Sequence, residues 1–315
     1  MACTLARSRG RPPEEVRAGA LKNRRAMTTD AGSGHWAWLR GRILPWAEQD
    51  SNVRAVAVLG SQIRTDRPAD AWADMDLLLL VADPGVIRDS DDWLARIGRV
   101  WVALRHPGPL RDLPVRQVMF EGALDFDIIA APAGRFADVL ANPDARQALG
   151  EGLRPVLDKD GELAATPIPL LPPTDWRPDA DTFSFVVNDF LYQTVFVAKR
   201  LHRGELWRVK DDVDGYMKGD LLWMIEWHAR ARRSEVQVWP EARYLERWAD
   251  PRVLEALPVA FAAYERSSVA RALLAMMDLF GWVGRETAEA LGLSYPTASH
   301  QAVTTWVRDT VKPFL

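Results

Sequence analysis

Cysteine is almost missing from this chain: Cys3 is the only one, and it stands in an Arg- and Pro-rich leader. A disulfide framework and a Cys-based metal site are therefore both excluded. Zinc held by histidines is no better supported, because His35, His106, His202, His228 and His300 are scattered without a ligand spacing such as HxxxH. Long hydrophobic runs are missing too. A bilayer span needs about 20 apolar residues, and Leu77 to Ala82 falls far short of that. Nor is there an excess of positive charge. The formal net charge of −3 argues against a broad nucleic-acid-binding face, which draws on clustered Lys and Arg. These absences point to a soluble protein of a reducing compartment, the cytoplasm, with neither membrane nor nucleic acid as a partner. They leave the oligomeric state open, with a monomer as the default expectation.

What is present is an ordinary globular composition, 48% hydrophobic over 315 residues, long enough for about two domains. Residues 1–30 are basic, lack the apolar h-region of a secretory signal and read as a disordered leader, with Met27 the more natural chain start. Asp30 or Ser33 then caps a helix from about His35 to Glu48. Residues 31–165 form the first domain. Residues 166–182 lie in a Pro-rich polar stretch and read as the linker. Residues 183–315 change to a helical texture, with apolar positions three and four apart in Phe183 to Arg200, Gly219 to Ala231, Pro240 to Trp248, Pro251 to Ala263 and Ser267 to Gly281.

The most informative stretch runs from Val56 to Val81. An apolar run ends in Gly60-Ser61, twelve residues intervene, and Asp74 and Asp76 open a second apolar run. Both runs are short, Val- or Leu-rich and bounded by turn residues, so they read as buried strands. Residues two apart on a strand share a face, which brings the Asp74 and Asp76 carboxylates together. Like charges that close call for a cation, and hard oxygen donors suit Mg²⁺ bridged by the phosphates of a nucleotide. Gly60 lets the backbone approach a ligand without a Cβ, and the following N–H groups can face phosphate oxygens. Farther on, VRQVMFEGALDFDII reads as a hairpin turning at Glu121-Gly122. It offers Asp125 or Asp127 as a third carboxylate.

Strand, Gly-Ser, about a dozen residues and DxD on a second strand resemble the signature of the polymerase-β-like nucleotidyltransferase superfamily. Within it the chain is similar to the aminoglycoside 6-adenylyltransferases, the streptomycin-modifying enzymes, from about Asn52 to Trp306. The likeness rests on Gly60-Ser61, Asp74-Met-Asp76 and Phe120-Glu121-Gly122 leading to Leu124-Asp125-Phe126. It continues through Asn188-Asp189-Phe190, Val197-Ala198-Lys199, Arg203-Gly204-Glu205-Leu206, Lys210, Leu221-Leu222-Trp223-Met224, Glu226-Trp227 and Tyr295-Pro296.

This resemblance implies an α+β fold: a nucleotidyltransferase domain with a mixed sheet and flanking helices, followed by an all-α substrate-binding domain. It implies AMP transfer from ATP, with two Mg²⁺ ions, to a hydroxyl of a cationic small molecule such as streptomycin. It ranks Asp125 above Asp127 as the third metal ligand beside Asp74 and Asp76. Asp189 occupies the family's acidic position and is the candidate general base, against a reading as a solvated helix residue. Lys199 is a candidate point charge for the triphosphate, against pairing with Glu205 or solvent. The family's Gly-Ser-Arg is Gly-Ser-Gln here, so Arg64 is the candidate replacement for the arginine lost at Gln62. The aromatic pair after the acidic residue is reduced to Leu191-Tyr192. Glu205, Asp211, Asp212 and Asp214 are expected to focus a negative potential on the acceptor.

Other functions compete with this one. Another nucleotidyl acceptor, such as a protein or a tRNA end, is the nearest, and a nucleotide-binding sensor is another. Glu286 to Val307 imitates a helix-turn-helix, but between Thr297 and Trp306 its second helix carries no basic residue other than His300. Most of the fourteen tryptophans fall at helical spacing and read as core, with Trp72, just before the DxD strand, the one able to flank a nucleotide.

Overall fold

A computed structural model describes residues 33–64, 69–107, 113–149, 152–166, 175–233 and 235–315. The leader and residues 167–174 of the 166–182 linker lie outside them, and the last residues of that linker already begin the first helix of the second unit. The chain divides into two compact units, Met1–Pro173 and Thr174–Leu315.

The first unit begins with a continuous helix, α1 (residues 33–49), which contains a π-helical turn at Leu39–Ile43. Then follow β1 (Val53–Leu59), β2 (Met75–Val81), α2 (Pro84–Asp89), α3 (Asp92–Ile97), β3 (Val100–Pro107), β4 (Pro114–Phe120) and β5 (Leu124–Pro132). The unit closes with α4 (Phe136–Ala141), α5 (Pro143–Leu149), β6 (Leu153–Asp158) and α6 (Glu162–Ala165). The six strands form one mixed sheet in the order β3-β4-β5-β2-β1-β6, in which β2 and β5 run parallel and every other pair is antiparallel.

Helices cover both faces of this sheet. Val56, Val58, Met75, Leu77, Phe126 and Ile128 pack with Leu39, Ile43 and Trp46 of α1 and with Trp93 and Leu94 of α3. Ala57, Leu59, Leu78, Leu80 and Ala131 face the other way, toward Phe136, Leu140 and Leu149. Strands buried on both sides need near-continuous apolar sequence. That is why VRAVAVL and MDLLLLV lack the alternation seen in β4, where every second residue is buried.

The second unit is helical. α7 (Ala180–Arg203) starts at Asp179, whose side chain accepts the Thr182 N–H at 2.7 Å, and ends at Gly204. α8 (residues 206–232) contains a π-helical turn at Asp212–Tyr216. A short turn, α9 (Leu245–Trp248), leads into α10 (Pro251–Ala260), α11 (Arg266–Leu291) and α12 (Thr297–Val311). Phe190 of α7 stacks on Phe280 of α11, with ring centroids 3.8 Å apart.

The expected helix from Pro240 to Trp248 is instead two short turns, with Glu241 and Tyr244 left-handed at φ 55° and 52°. A tertiary anchor overrides the local pattern. The Trp248 ring is buried and its N–H donates to the Arg243 carbonyl at 2.9 Å. The helix expected to stop at Gly281 runs on to Leu291, because the glycines inside it are needed for packing. A Cβ on Gly284 would lie 2.6 Å from the Tyr295 ring, and one on Gly281 equally close to His300. Tyr295-Pro296 thus closes the unit against α11, with the Tyr295 hydroxyl 2.8 Å from His300 Nδ1. His300 is buried and is unavailable to a DNA phosphate.

Gly284→Ala should therefore lower the melting temperature. The helix-propensity gain of about 1 kcal/mol is outweighed by overpacking worth about 1–3 kcal/mol. A calorimetric melt at or above the wild-type value would refute the close-packing argument.

Candidate active site

The first unit gathers its charged site where β1 and β2 meet a turn. β1 ends at Leu59, and Gly60 enters a single 3-10 turn, Gly60–Gln62, at φ 62°, a conformation that side chains disfavour. Space makes the same demand: a Cβ on Gly60 would sit 2.5 Å from Asp76 Oδ2. The glycine thus lets the backbone press against a carboxylate. The Ser61 hydroxyl next to it is buried without a hydrogen-bond partner, an uncommon state that suits a group awaiting a ligand.

Asp74 immediately precedes β2 and Asp76 is its second residue. Carboxylate oxygens of Asp74, Asp76 and Asp127 all lie within 4.8 Å of one another. Asp127 is the third carboxylate of this cluster, whereas the resemblance ranked Asp125 first as the third metal ligand. The parallel register decides it: Asp76 stands directly beside Asp127, on the sheet face shared with Leu78 and Ala131. Asp125 lies one repeat earlier, where its Oδ1 is 3.1 Å from His35 Nε2. Gln117 on β4 donates to Asp127 Oδ2 at 2.9 Å and orients it.

Gln62, at the family's arginine position, bridges two elements. Its Oε1 accepts the Trp36 indole N–H at 3.0 Å, and its Nε2 donates to the Asp74 carbonyl at 2.8 Å. The side chain thus ties α1 to the start of the carboxylate strand. Arg154 of β6 lies over the Trp36 ring, 5.3 Å from its centroid. Arg64 is half-buried two residues beyond Gln62. Trp72 is 93% exposed, an unusual position for that ring.

In the second unit Asp189 is half-buried on α7, and its Oδ2 accepts the Tyr216 hydroxyl of α8 at 2.7 Å. That bond to Asp189 pushes the Tyr216 phenol up to about 12. Lys199, on the same helix, points its ammonium over Trp306 at 5.9 Å, whereas Glu205 is engaged by Arg200 and Arg203. The acidic run expected to project a negative field is neutralised locally. Asp212 is buried between Arg200 and Arg208, Asp214 pairs with Lys210 and Lys218, and Asp211 pairs with Arg208.

Another carboxylate carries uncompensated charge. Asp220 is only 8% exposed and its Oδ2 has no partner. Burial, helped by the nearby Asp189 charge, pushes its carboxyl up to about 7. Its position was readable. Asp220 falls in the apolar stripe of Met217, Leu221, Met224 and Ile225, where three- and four-residue spacing turns a side chain inward.

An acid whose pKa rises on folding stabilises the fold only while protonated. That contribution is complete below the ordinary value of 3.8 and is lost as pH climbs through about 7. Asp220→Asn should therefore melt higher than wild type at pH 8, with the gap narrowing at pH 5 and closing only below about 4. Each displaced unit is worth about 1.4 kcal/mol, so a gain of several degrees is expected at about 2–4 °C per kcal/mol. Thermal scans at the two pH values check this, and a gap that widens toward pH 5 would reverse the sign.

Comparisons with known proteins give the family. The family profile described as Streptomycin adenylyltransferase matches residues 39–310. An aminoglycoside 6-adenylyltransferase of Bacillus subtilis (strain 168) is 23% identical over 267 residues, covering 81% of this chain and 90% of that protein. A protein of the same name from Campylobacter jejuni is 23% identical over 266 residues, covering 81% and 88%. Among solved structures, an aminoglycoside 6-adenyltransferase from Bacillus subtilis aligns at 20% identity over 85% of this chain and 95% of its own, with a TM-score of 0.41. A nucleotidyltransferase-like protein from Exiguobacterium sibiricum 255-15 aligns at 16% identity with a TM-score of 0.31, covering 82% and 78%. Among the described residues no helix is long and apolar enough to cross a membrane.

Proposed function

The chain belongs to the streptomycin adenylyltransferase family and is a nucleotidyltransferase enzyme, and from that premise we propose that it transfers AMP from ATP to a hydroxyl of an aminoglycoside, with streptomycin the first candidate. The observation that carries the reading is the convergence of Asp74, Asp76 and Asp127 beside a glycine turn with an unpartnered serine hydroxyl.

Three carboxylates offering hard oxygen donors fit Mg²⁺ and the phosphates of a nucleotide. Asp74, Asp76 and Asp127 would hold the metal, and Ser61 with the Gly60–Gln62 backbone would receive phosphate oxygens. Bound there, the metal supplies charge neutralisation at the phosphoryl group and lowers the pKa of the attacking hydroxyl. Gln117 holds the Asp127 carboxylate and Gln62 the Asp74 backbone, so little reorganisation is needed as negative charge develops. Exposed Trp72, two residues before Asp74, offers a ring on which the base can stack.

The acceptor oxygen forms a bond to the α-phosphorus, the bond from that phosphorus to the pyrophosphate oxygen breaks, and pyrophosphate leaves. Asp189 takes the hydroxyl proton. Tyr216 supports that role by holding one carboxylate oxygen in place, the usual arrangement of a base oriented by a third group.

Incubation of the protein with Mg²⁺, each NTP in turn and a panel of aminoglycosides, read by mass spectrometry, tests donor and acceptor together. An AMP adduct on streptomycin is the expected product. No adduct on any aminoglycoside, with ATP turned over when a protein or tRNA is supplied, would move the activity to another acceptor.

A further inference from the structure

The carboxylate of Asp220 has no place in the chemistry above, yet it is built into the same face as Asp189. α7 and α8 run antiparallel there, because Tyr216 meets Asp189 while Trp227, farther along α8, meets Phe183, earlier on α7, with ring centroids 6.1 Å apart. Along this stretch each helix presents a stripe. On α7 it is Phe185, Asp189 and Tyr192, and on α8 Tyr216, Asp220 and Trp223, each spaced by four and then three residues, which is one helical face. The four aromatic rings are exposed. Asp220 alone of the six is buried, with one carboxylate oxygen unpartnered. The π-helical turn at Asp212–Tyr216 sits directly before it, an irregularity found disproportionately at functional sites.

Burying a carboxylate without a partner is costly, and an apolar residue of similar volume would stabilise the fold better. Side chains kept against stability mark sites of function more often than accidents of packing. The surroundings specify the ligand: a buried anion beside a second carboxylate, flanked by flat rings, suits a guanidinium or ammonium group carried on a ring scaffold. Carboxylate pairing and cation–π contact act on the same group, and the aromatic faces can take the apolar side of a sugar or cyclitol.

We propose that Asp220 is a specificity-determining residue of the acceptor site, its carboxylate pairing with a cationic group of the acceptor while Asp189 serves the hydroxyl. This rests on the transferase reading above. Asp220 binds and does no chemistry, so its loss separates from that of Asp189 in the kinetics.

The test compares wild type, Asp220→Asn and Asp220→Ser in steady-state adenylylation of streptomycin, with calorimetric titration of streptomycin and of agmatine, a small guanidinium cation. The serine variant serves as the check should the asparagine variant fold poorly. If Asp220 pairs with the cation, both variants raise the KM and Kd for streptomycin about ten-fold or more, leave the KM for ATP within about two-fold, and change kcat little. Streptomycin turnover with an unchanged streptomycin KM, or a fall in kcat alone, overturns the proposal and leaves the transferase reading standing. If wild type neither binds nor modifies streptomycin, the acceptor reading falls and agmatine decides Asp220: binding to wild type that is lost in both variants upholds the cation site, and equal titrations overturn it.

Discussion

Asp127→Asn is expected to abolish nucleotide transfer, by at least about 10³-fold in kcat, whereas Asp125→Asn should retain most of the activity. The two residues share a strand and a face, so composition and alternation treat them alike. Register separates them: Asp127 stands beside Asp76 across the parallel β2–β5 pair, and Asp125 is drawn to His35. Removing one oxygen charge from a cluster whose role is electrostatic costs transition-state stabilisation directly. Asp76→Asn should cost as much. Neither change should unfold the protein, because relief of repulsion among clustered carboxylates favours the metal-free fold. Asp125→Asn should instead show a small stability loss, about 1 kcal/mol, because the buried His35 loses a carboxylate that is itself partly exposed. Turnover at saturating Mg²⁺ and ATP, with melting curves on the same samples, checks both halves. A larger kinetic loss at Asp125 than at Asp127 would return the third ligand to the hairpin's first aspartate.

Asp189→Asn should lower kcat by about 10²- to 10⁴-fold, the usual contribution of a well-placed general base, with the KM for ATP nearly unchanged. The residues proposed to receive the nucleotide, Gly60, Ser61, Asp74, Asp76 and Asp127, all belong to the first unit and Asp189 to the second, so on that reading donor binding has no reason to change. Tyr216→Phe should have a smaller effect of the same kind, because it leaves the carboxylate in place but frees its rotation. The distinction from Asp220 is kinetic: loss of the base appears in kcat, and loss of the cation partner in the acceptor KM. A normal kcat in Asp189→Asn would reduce that aspartate to a solvated helix residue.

Much of the architecture was legible because its signals are local. The apolar runs around Gly60-Ser61 and Asp74-Met-Asp76 are strands covered on both faces, and Glu121-Gly122 turns a hairpin. The helix expected from Phe183 is present as α7, which begins three residues earlier, at Ala180, because the Asp179 side chain caps it. The differences came where burial and side-chain pairing, rather than spacing, decide. The Pro240 to Trp248 segment carries helical spacing but is broken by the buried Trp248 and its bond to Arg243. The aspartates at 211, 212 and 214 read as a negative patch, yet Arg200, Arg208, Lys210 and Lys218 fold back to neutralise them.

By itself the sequence determined that two buried strands border Gly60-Ser61 and Asp74-Met-Asp76, that a helical unit follows, and that carboxylates meet a Gly-Ser turn, because periodicity, turn residues and charge spacing act within a few residues of chain; the mixed sheet with flanking helices came from the family resemblance. Only the tertiary structure decided that Asp127 rather than Asp125 joins Asp74 and Asp76, that Gln62 ties Trp36 to the Asp74 backbone, and that one oxygen of the inward-turned Asp220 finds no partner. Strand register, a bridge between residues 26 apart and the missing partner of a carboxyl group each depend on segments far apart in the chain being brought into contact, and no local pattern encodes which partner will arrive.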